Sequence, residues 1–340
     1  MRRGTSAVFF AKTDAVSENW RERRVLVTGA TGIVGAWLCE ALLERGATVV
    51  AFVLDDDPQS RFYREAIDRR CRIVRGDLAR IEDCTRAINV HDVDTVFHLG
   101  AQTIVGTALR DPLECFESNI RGTYNLLEAA RRLAPLVRAF VVASSDKAYG
   151  DSPVLPYTED MPLNGRHPYD VSKSCTDLIA QTYAHTYGLP VTIARCGNIY
   201  GGGDLNWSRI VPGTIRSLLA GERPVLRSDG GPIRDYIYVG DVVDAYLALA
   251  EATPRAGIGG EAFNFSPQAG ASVLEIVGAI GRVMGVEPNP LVLATAEMEI
   301  RDQTLDASKA RERLAWTARW SLDAGLRETV AWYRNYLAAK

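Results

Sequence analysis

The sequence predicts an α/β fold in which a doubly wound parallel sheet is followed by a smaller C-terminal α/β lobe. Short apolar runs alternate with amphipathic stretches over the first part of the 340-residue chain, as in parallel strands joined by helices. A glycine-rich turn separates the first run from the first amphipathic stretch. After Gly197 the alternation becomes irregular, which indicates a second lobe.

The first part of the chain contains six runs rich in β-branched residues, which we predict to be strands: RRVLVTG, ATVVAFVL, CRIVRGD, DTVFHLG, RAFVVASS and PVTIARCGN. Apolar residues three and four positions apart predict helices between them: GIVGAWLCEALLERG, IEDCTRAINVHD and CFESNIRGTYNLLEAARRL. We assign these elements to one domain over residues 21–195. Residues 1–20 are predicted to be a tail, since their apolar patch is too short for a signal peptide.

Residues 196–340 are predicted to form the second lobe. Its expected elements are the glycine cluster YGGGD, the helix IVPGTIRSLLAGE, the strand DYIYV and three helices, GDVVDAYLALAEA, SVLEIVGAIGRVMG and SLDAGLRETVAWYRNYLA. The strand-like AFNFS leaves open a return of the chain to the first sheet. The boundary near residue 195 is therefore approximate.

Composition and charge exclude several classes of function. The net charge is −3, so the chain lacks the excess of positive charge that binds nucleic acid or an anionic membrane surface. No apolar run reaches about 18 residues, which excludes a spanning helix. The six cysteines have no CxxC spacing, which favours a reducing cytoplasm, and the four histidines are scattered, so we expect no metal site.

The glycine-rich turn in VLVTGATGIVGAWLCEALLERG predicts a dinucleotide site. Gly29, Gly32 and Gly35 run from a strand into a helix, a spacing that permits a tight turn and close approach of backbone N–H groups to a pyrophosphate. An ordinary glycine-rich βα turn is the alternative. Strand, glycines and helix onset all agree with a Rossmann-type nucleotide loop.

The choice between NAD and NADP rests on the end of the second strand. Val53 stands where an acidic ribose ligand is usual, and Asp55 to Asp57 follow slightly later. No basic cluster for a 2′-phosphate is present there, the nearest arginine being Arg61, so we predict NAD. Asp77, after the third strand, suits an adenine contact, although an aspartate at that point also commonly caps a helix.

Tyr169 and Lys173 in HPYDVSKSC are four residues apart and lie on one face if the segment is helical. A lysine at that distance lowers the pKa of a phenol electrostatically, which makes tyrosinate a workable base. Alone, such a spacing also occurs by chance on surface helices. Here it follows VVASS, at the end of a predicted strand, by about 20 residues.

The combination resembles the extended short-chain dehydrogenase/reductase family, the group of nucleoside diphosphate (NDP) sugar epimerases and dehydratases. The matching motifs, from Arg24 to about Tyr336, are TGATGIVG, DTVFHLGAQ, NIRGTYNLLEAAR, SSDKAYGD, PYDVSK, ARCGNIYGGG, RDYIYVGDVVDA and LDASKARERLAW. The cofactor site expected on this basis comprises Gly29, Thr31, Gly32, Ile33, Asp77, Leu78, Leu99 and Ala101, together with Tyr169 and Lys173.

The resemblance also implies roles for residues of the chemistry. Ser145 would hydrogen-bond the 4-hydroxyl of the sugar, Tyr169 would remove its proton, and Lys173 would support Tyr169 and the nicotinamide ribose. The implied substrate contacts are Asn119, Asn198 and Arg234. A guanidinium beside a strand end suits bidentate phosphate recognition, although Arg234 could instead pair with a neighbouring aspartate.

Asp146 and Lys147 directly follow Ser145 and raise the question of a second reaction. Once C4 is a ketone, the C5 proton becomes removable, and elimination needs a base for it and an acid for the departing C6 oxygen. An ordinary lysine, with a pKa of about 10.4, must first lose its proton, for example to Asp146. An exposed ion pair worth about 0 to 1 kcal/mol is the alternative.

Three hypotheses about function remain. The resemblance of SSDK and CGNIYGGGD to the CDP-glucose-specific members favours an NDP-hexose 4,6-dehydratase. A 4-epimerase would use the same Ser145, Tyr169 and Lys173 with Asp146 and Lys147 as bystanders. A silent nucleotide-binding protein would lack the tyrosine or the lysine. The family also implies a homodimer built on helices, with a candidate apolar face formed by Leu178, Ile179, Tyr183 and Tyr187.

Overall fold

The computed structural model describes residues 20–255, 257–295 and 300–338. The predicted tail therefore lies outside the described residues except for Trp20. Its indole is 3% exposed and donates a hydrogen bond to Glu251 (2.8 Å), so this residue belongs to the packed domain rather than to a tail.

The helices and strands of the described residues follow the predicted alternation. The strands are β1 (Arg24–Thr28), β2 (Thr48–Val53), β3 (Arg72–Arg75), β4 (Thr95–His98), β5 (Ala139–Ala143), β6 (Val191–Cys196), β7 (Asn198–Tyr200), β8 (Val225–Leu226), β9 (Ile233–Tyr238), β10 (Ala262–Phe265), β11 (Gly270–Ser272), β12 (Leu291–Val292) and β13 (Asp302–Gln303). The α-helices are α1 (Ile33–Glu44), α2 (Arg61–Arg64), α3 (Ile81–Asn89), α4 (Val105–Arg110), α5 (Pro112–Phe116), α6 (Gly122–Arg132), α7 (Pro168–Tyr187), α8 (Ile210–Leu219), α9 (Val239–Ala252), α10 (Val273–Met284), α11 (Ser308–Leu314) and α12 (Leu322–Ala338).

The main sheet has seven parallel strands in the order β10-β6-β5-β4-β1-β2-β3, which confirms the predicted doubly wound fold. Buried side chains alternate between its faces: Val25 and Val27 join one apolar cluster, and Leu26 joins the other. Each face is covered by helices, as expected for a parallel sheet. The strand order reverses at β1, which has β4 on one side and β2 on the other.

Strand β10 shows how the second part of the chain contributes to the first sheet. Its residues pair in parallel with β6, Ala262 opposite Ile193 and Phe265 opposite Cys196. A smaller sheet is centred on β9, with β7, β11 and β13 paired to it. The domain boundary near residue 195 stays a prediction. Strand β10 lies beyond that boundary in the sequence but belongs to the main sheet.

One predicted helix is interrupted. The stretch CFESNIRGTYNLLEAARRL forms α5, then a π-helical turn (Glu117–Arg121), then α6. Such turns are rare and occur frequently at functional sites. This one carries Asn119.

None of the helices within the described ranges combines the length and the apolar character needed to cross a membrane.

Candidate active site

A cleft of about 1200 Å³ lies between the carboxyl ends of the main sheet and the C-terminal lobe. Gly29, Ser145 and Tyr169 line it from the first domain, and Asn198 and Arg234 line it from the lobe. The cleft lies beside β1, where the strand order reverses. Open α/β sheets bind their ligands at such a position.

The glycine loop at the end of β1 is shaped by close backbone contacts. Gly29 has a φ of +67°, and a Cβ added to it would lie 2.9 Å from the Gly100 nitrogen. A Cβ on Gly35 would lie 2.1 Å from the Gly29 carbonyl oxygen. The Thr28 hydroxyl accepts hydrogen bonds from the Leu99 and Gly100 N–H groups (3.1 and 2.9 Å), which joins the loop to the end of β4.

The predicted cofactor residues divide into two groups. Six line the cleft beside Tyr169 and Lys173: Gly29, Thr31, Gly32, Ile33, Leu99 and Ala101. Asp77 accepts a hydrogen bond from the Ala79 N–H (2.8 Å), and Leu78 packs beneath Gly100 and Gly122. The Asp77 carboxylate therefore stabilises the turn after β3. An adenine contact of Asp77 or Leu78 stays a prediction.

Ser145, Asp146 and Lys147 follow β5 in a short 3₁₀ turn. The strand ends at Ala143, and Ser145 caps the turn Asp146–Tyr149 by accepting a hydrogen bond from the Lys147 N–H (3.2 Å). Because the chain has left the strand, the alternation of side chains in a strand does not separate these residues. All three line the cleft.

The two charged side chains have different hydrogen-bond partners. Asp146 accepts a hydrogen bond from the Ser145 hydroxyl (2.9 Å), and Lys147 donates one to the Gln303 amide oxygen. Asp146 is only 3% exposed, which excludes the exposed ion pair considered from the sequence. A partner for Lys147 on a distant strand was not foreseen.

Tyr169 and Lys173 lie on the first turns of α7, one helical turn apart. The Lys173 amine lies 6.0 Å from the centre of the Tyr169 ring and donates a hydrogen bond to the Ala143 carbonyl oxygen (2.8 Å). This contact anchors α7 to the end of β5. The phenol, the amine and Ser145 therefore face one cleft, as the sequence predicts.

Burial sets the electrostatics of these groups. It raises the pKa of Tyr169 to about 12; Arg209 and a hydrogen bond with Ser145 act to lower that pKa, and Asp146 acts to raise it. Burial also lowers the pKa of Lys173 to about 8. The sequence predicts that Lys173 lowers the pKa of Tyr169. Burial outweighs this effect, because loss of solvent favours the neutral phenol.

Asn119 is almost fully buried in the π-helical turn. Its side-chain oxygen accepts a hydrogen bond from the Gln102 N–H (2.7 Å), and its amide nitrogen donates to the Gln102 carbonyl (3.0 Å) and to the Ser172 hydroxyl (2.9 Å). The amide thereby ties the loop after β4 to α7, next to Lys173. Its substrate contact stays a prediction beside this structural role.

The other two predicted substrate residues lie on the lobe side of the cleft. Asn198 begins β7, and Arg234 is 3% exposed on β9. The Arg234 guanidinium donates to the carbonyl oxygens of Ile233 (2.8 Å), Arg301 (2.6 Å) and Ile300. These bonds fix its plane at the cleft; its role as a phosphate ligand stays a prediction.

Arg209 is a cleft residue that the sequence analysis missed. It pairs with Asp204 (3.0 Å) and donates to the Thr103 hydroxyl (3.2 Å), so it bridges the lobe and the loop after β4. Its positive charge acts on Tyr169 from across the cleft. The only sequence signal was an arginine directly before a predicted helix, which many surface helices share.

No cluster of histidine, cysteine and carboxylate side chains suited to a metal ion was found within the described residues.

A family comparison extends over most of the chain. Residues 25–265 match the NAD dependent epimerase/dehydratase family. CDP-glucose 4,6-dehydratase of Salmonella typhimurium is 30% identical over 333 residues, which cover 94% of this chain and 92% of that protein.

Two crystal structures resemble the fold closely. UDP-glucose 4-epimerase from Thermotoga maritima, with UDP-glucose, has a TM-score of 0.83 and 29% identity, covering 92% of this chain and 99% of that one. dTDP-glucose 4,6-dehydratase from Bacillus anthracis, in complex with NAD, has a TM-score of 0.80 and 25% identity, covering 92% and 97%.

Proposed function

Because this chain belongs to the NAD-dependent epimerase/dehydratase family, we propose that it is an NAD-dependent NDP-hexose 4,6-dehydratase. The reaction oxidises C4 of the sugar, eliminates water across C5 and C6, and ends in a 4-keto-6-deoxy sugar. CDP-glucose is the first substrate to test, since the Salmonella relative carries that name. The nucleotide base is otherwise open.

A single observation carries the proposal: the cleft lined by Ser145, Tyr169 and Lys173 is also lined by Asp146 and Lys147. The first three, with NAD as the hydride acceptor, would suffice to oxidise an alcohol. The other two supply an acid and an amine within the same cleft, the pair of groups that elimination requires.

The glycine loop and its surroundings fit a dinucleotide. A Cβ on Gly29 or Gly35 would collide with backbone atoms, so the turn is tightly closed. A turn of this kind lets backbone N–H groups approach a pyrophosphate, which supports a dinucleotide site. Thr31, Gly32 and Ile33 would hold that pyrophosphate, and Lys173 the nicotinamide ribose. When bound, NAD would take a hydride from C4 and return it at C6.

Replacing Gly29 by alanine is expected to lower the affinity for NAD at least about tenfold. The added methyl group would lie 2.9 Å from the Gly100 nitrogen and displace the loop. Gly188 provides a matched control, because it has the same φ of +67° with no atom within 4 Å of an added Cβ. Both variants carry backbone strain of about 1 kcal/mol.

Calorimetric titration with NAD measures the effect. Weakened binding in Gly29→Ala but not in Gly188→Ala supports the steric explanation, whereas equal affinities would contradict the proposed cofactor site.

Oxidation at C4 uses the first three residues. Tyr169 removes the proton of the 4-hydroxyl, which Ser145 holds by a hydrogen bond. Lys173 stabilises the tyrosinate by its positive charge, and its bond to Ala143 keeps the amine beside the phenol. Asn198 and Arg234 would bind the diphosphate on the opposite wall of the cleft.

Elimination uses the next two residues. Lys147, in its amine form, takes the C5 proton, and the electron pair of that bond passes to the C4 ketone as an enolate. The enolate then re-forms the ketone, and the C5–C6 double bond forms as the C6–O bond breaks. Asp146, in its acid form, donates its proton to the departing oxygen, which leaves as water. The Lys147 ammonium exchanges its protons with the solvent and then protonates C5 as C6 is reduced. Asp146 regains a proton from the solvent, to which Tyr169 releases the proton it took from the 4-hydroxyl, so that each group recovers its starting state.

A 4-epimerase is the second candidate, favoured by the likeness to the Thermotoga structure. Turnover in heavy water separates the two. A dehydratase exchanges the C5 hydrogen with solvent, and mass spectrometry of the 4-keto-6-deoxy product shows one added deuteron; an epimerase leaves C5 unlabelled. CDP-, dTDP-, UDP- and GDP-hexoses form the substrate panel, and turnover without C5 deuterium would contradict the dehydratase proposal.

A homodimer and a cytoplasmic setting complete the proposal. All six cysteines carry free thiols within the described residues, which suits a reducing compartment. On α7, Leu178 and Tyr187 are 53% and 55% exposed, whereas Ile179 and Tyr183 pack against the sheet, so the apolar face is narrower than expected. Leu109 and Leu113 on the neighbouring helices α4 and α5 are exposed as well.

Replacing Leu178 by arginine is expected to convert the dimer to a monomer, since the charge would be buried against a second copy. Size-exclusion chromatography with light scattering measures the mass. Val286→Arg, at an exposed position (44%) after α10, is the control and keeps the dimer. A wild-type monomer at micromolar concentration would contradict the proposal.

A further inference from the structure

Gln303 lies behind the cleft and contacts one of the proposed elimination residues. Its side chain is 0% exposed, and its amide oxygen accepts a hydrogen bond from the Lys147 amine, 156 positions away in the chain. An ammonium carries donors only, so the amide turns its oxygen toward the protonated Lys147. The contact joins the loop after β5 to β13.

The backbone around Gln303 is fixed from two sides. Gln303 is paired with Arg234 of β9 in parallel register, and the Ile233 N–H donates to the Asp302 carboxylate (3.1 Å). On the other side, the Thr304 carbonyl accepts from the Tyr157 N–H (2.8 Å). The amide oxygen is therefore held at a defined place relative to the cleft.

The uncharged state of Gln303 matters because Lys147 already has several charged groups around it. The titratable and charged groups on the elements packed around Lys147 include Asp146, Tyr157, Tyr169, Asp170, Lys173, Arg234, Asp235 and Asp302. Lys147 acts on the Asp170 carboxyl, lowering a pKa that burial raises, so the amine interacts electrostatically with α7. An amide at position 303 orients the amine without adding another negative charge.

We propose that Gln303 is a positioning residue for Lys147, holding its amine toward C5 of the sugar through an uncharged acceptor. This inference rests on the proposed dehydratase function in assigning Lys147 as the C5 base. The geometry of the contact itself does not depend on it. A carboxylate at the same place would favour the protonated, charged form of Lys147. An ammonium has no free electron pair and therefore cannot act as a base.

Nuclear magnetic resonance of lysine side chains tests the contact without any substrate. The chain has only five lysines, Lys12, Lys147, Lys173, Lys309 and Lys340, so the Lys147 signal is assigned by its loss in Lys147→Met. In Gln303→Glu its titration should move to higher pH by about one pH unit or more, since an adjacent carboxylate favours the ammonium. In Gln303→Met it should move to lower pH, because the acceptor is lost. The exposed Gln268→Glu, which carries the same charge change, should leave it in place.

Activity supplies the second readout. With CDP-glucose in heavy water, Gln303→Met and Gln303→Glu should lose C5 exchange at least about tenfold while C4 oxidation falls less than twofold. Equal losses of both steps, or a Lys147 titration unchanged in both variants, would overturn the positioning role. If the wild type turns over without C5 exchange, the proposed function fails instead, and the titration still decides whether Gln303 holds Lys147. Glutamate has nearly the same shape as glutamine. Gln303→Glu alone therefore tests whether Gln303 positions Lys147, even if Gln303→Met does not fold.

Discussion

Replacing Tyr169 by phenylalanine is expected to abolish turnover and to lower the rate of C4 oxidation about 10²- to 10⁴-fold, the usual contribution of a general base. The phenol lies in the cleft with Ser145 and one helical turn from Lys173. Oxidation is the first step, so every later step is lost with it. Accumulation of reduced cofactor, seen by near-ultraviolet absorbance, and formation of the 4-keto product measure the two steps separately.

Tyr187→Phe is the matched control, because Tyr187 is at the end of the same helix and 55% exposed. Its activity should equal that of the wild type. The pH dependence adds a second check: burial raises the pKa of Tyr169 to about 12, and a base acts only when deprotonated, so the wild-type oxidation rate should rise from neutral to alkaline pH. A Tyr169→Phe variant that still oxidises C4 would contradict the assignment.

The fold could be predicted because the inner strands of the main sheet, such as β4 and β6, are buried on both faces and therefore read as apolar runs. The position of β10 was harder to predict, since a four-residue run separated from β6 by three strands and two α-helices carries no signal of its neighbour. The family resemblance, confirmed by the match over residues 25–265, supplied the expectation that Asn198 and Arg234 of the second lobe contact the substrate.

The candidate site was predictable where short motifs determine geometry. The glycine spacing and the four-residue spacing of Tyr169 and Lys173 determine which atoms meet, because both depend on local turns and helices. The partners of Asp146 and Lys147 could not be deduced in this way. Asp146 accepts a hydrogen bond from Ser145, and Lys147 donates one to the distant Gln303. The proton exchange between Asp146 and Lys147 stays a prediction.

Replacing Lys147 by methionine is expected to retain C4 oxidation and to lower C5 exchange and dehydration about 10²- to 10⁴-fold. Methionine preserves the length of the side chain and removes only the amine. The oxidised sugar should then persist, and reduced cofactor should accumulate in place of returning to its oxidised form. Lys309→Met, whose lysine contacts Ala262 and Glu261 away from this cleft, is the control and should turn over normally.

The companion variant Asp146→Asn separates the acid from the base. Removal of the C5 proton precedes loss of the C6 oxygen, because the C4 ketone accepts the electron pair as an enolate, and only the second event needs a proton donor. Asp146→Asn should therefore exchange C5 hydrogen with heavy water yet fail to release water, whereas Lys147→Met should do neither. Asparagine keeps the acceptor for the Ser145 hydroxyl, so the turn after β5 is preserved. If both variants dehydrated at the wild-type rate, Asp146 and Lys147 would be bystanders, and the acid and base of the elimination would have to be other groups of the cleft.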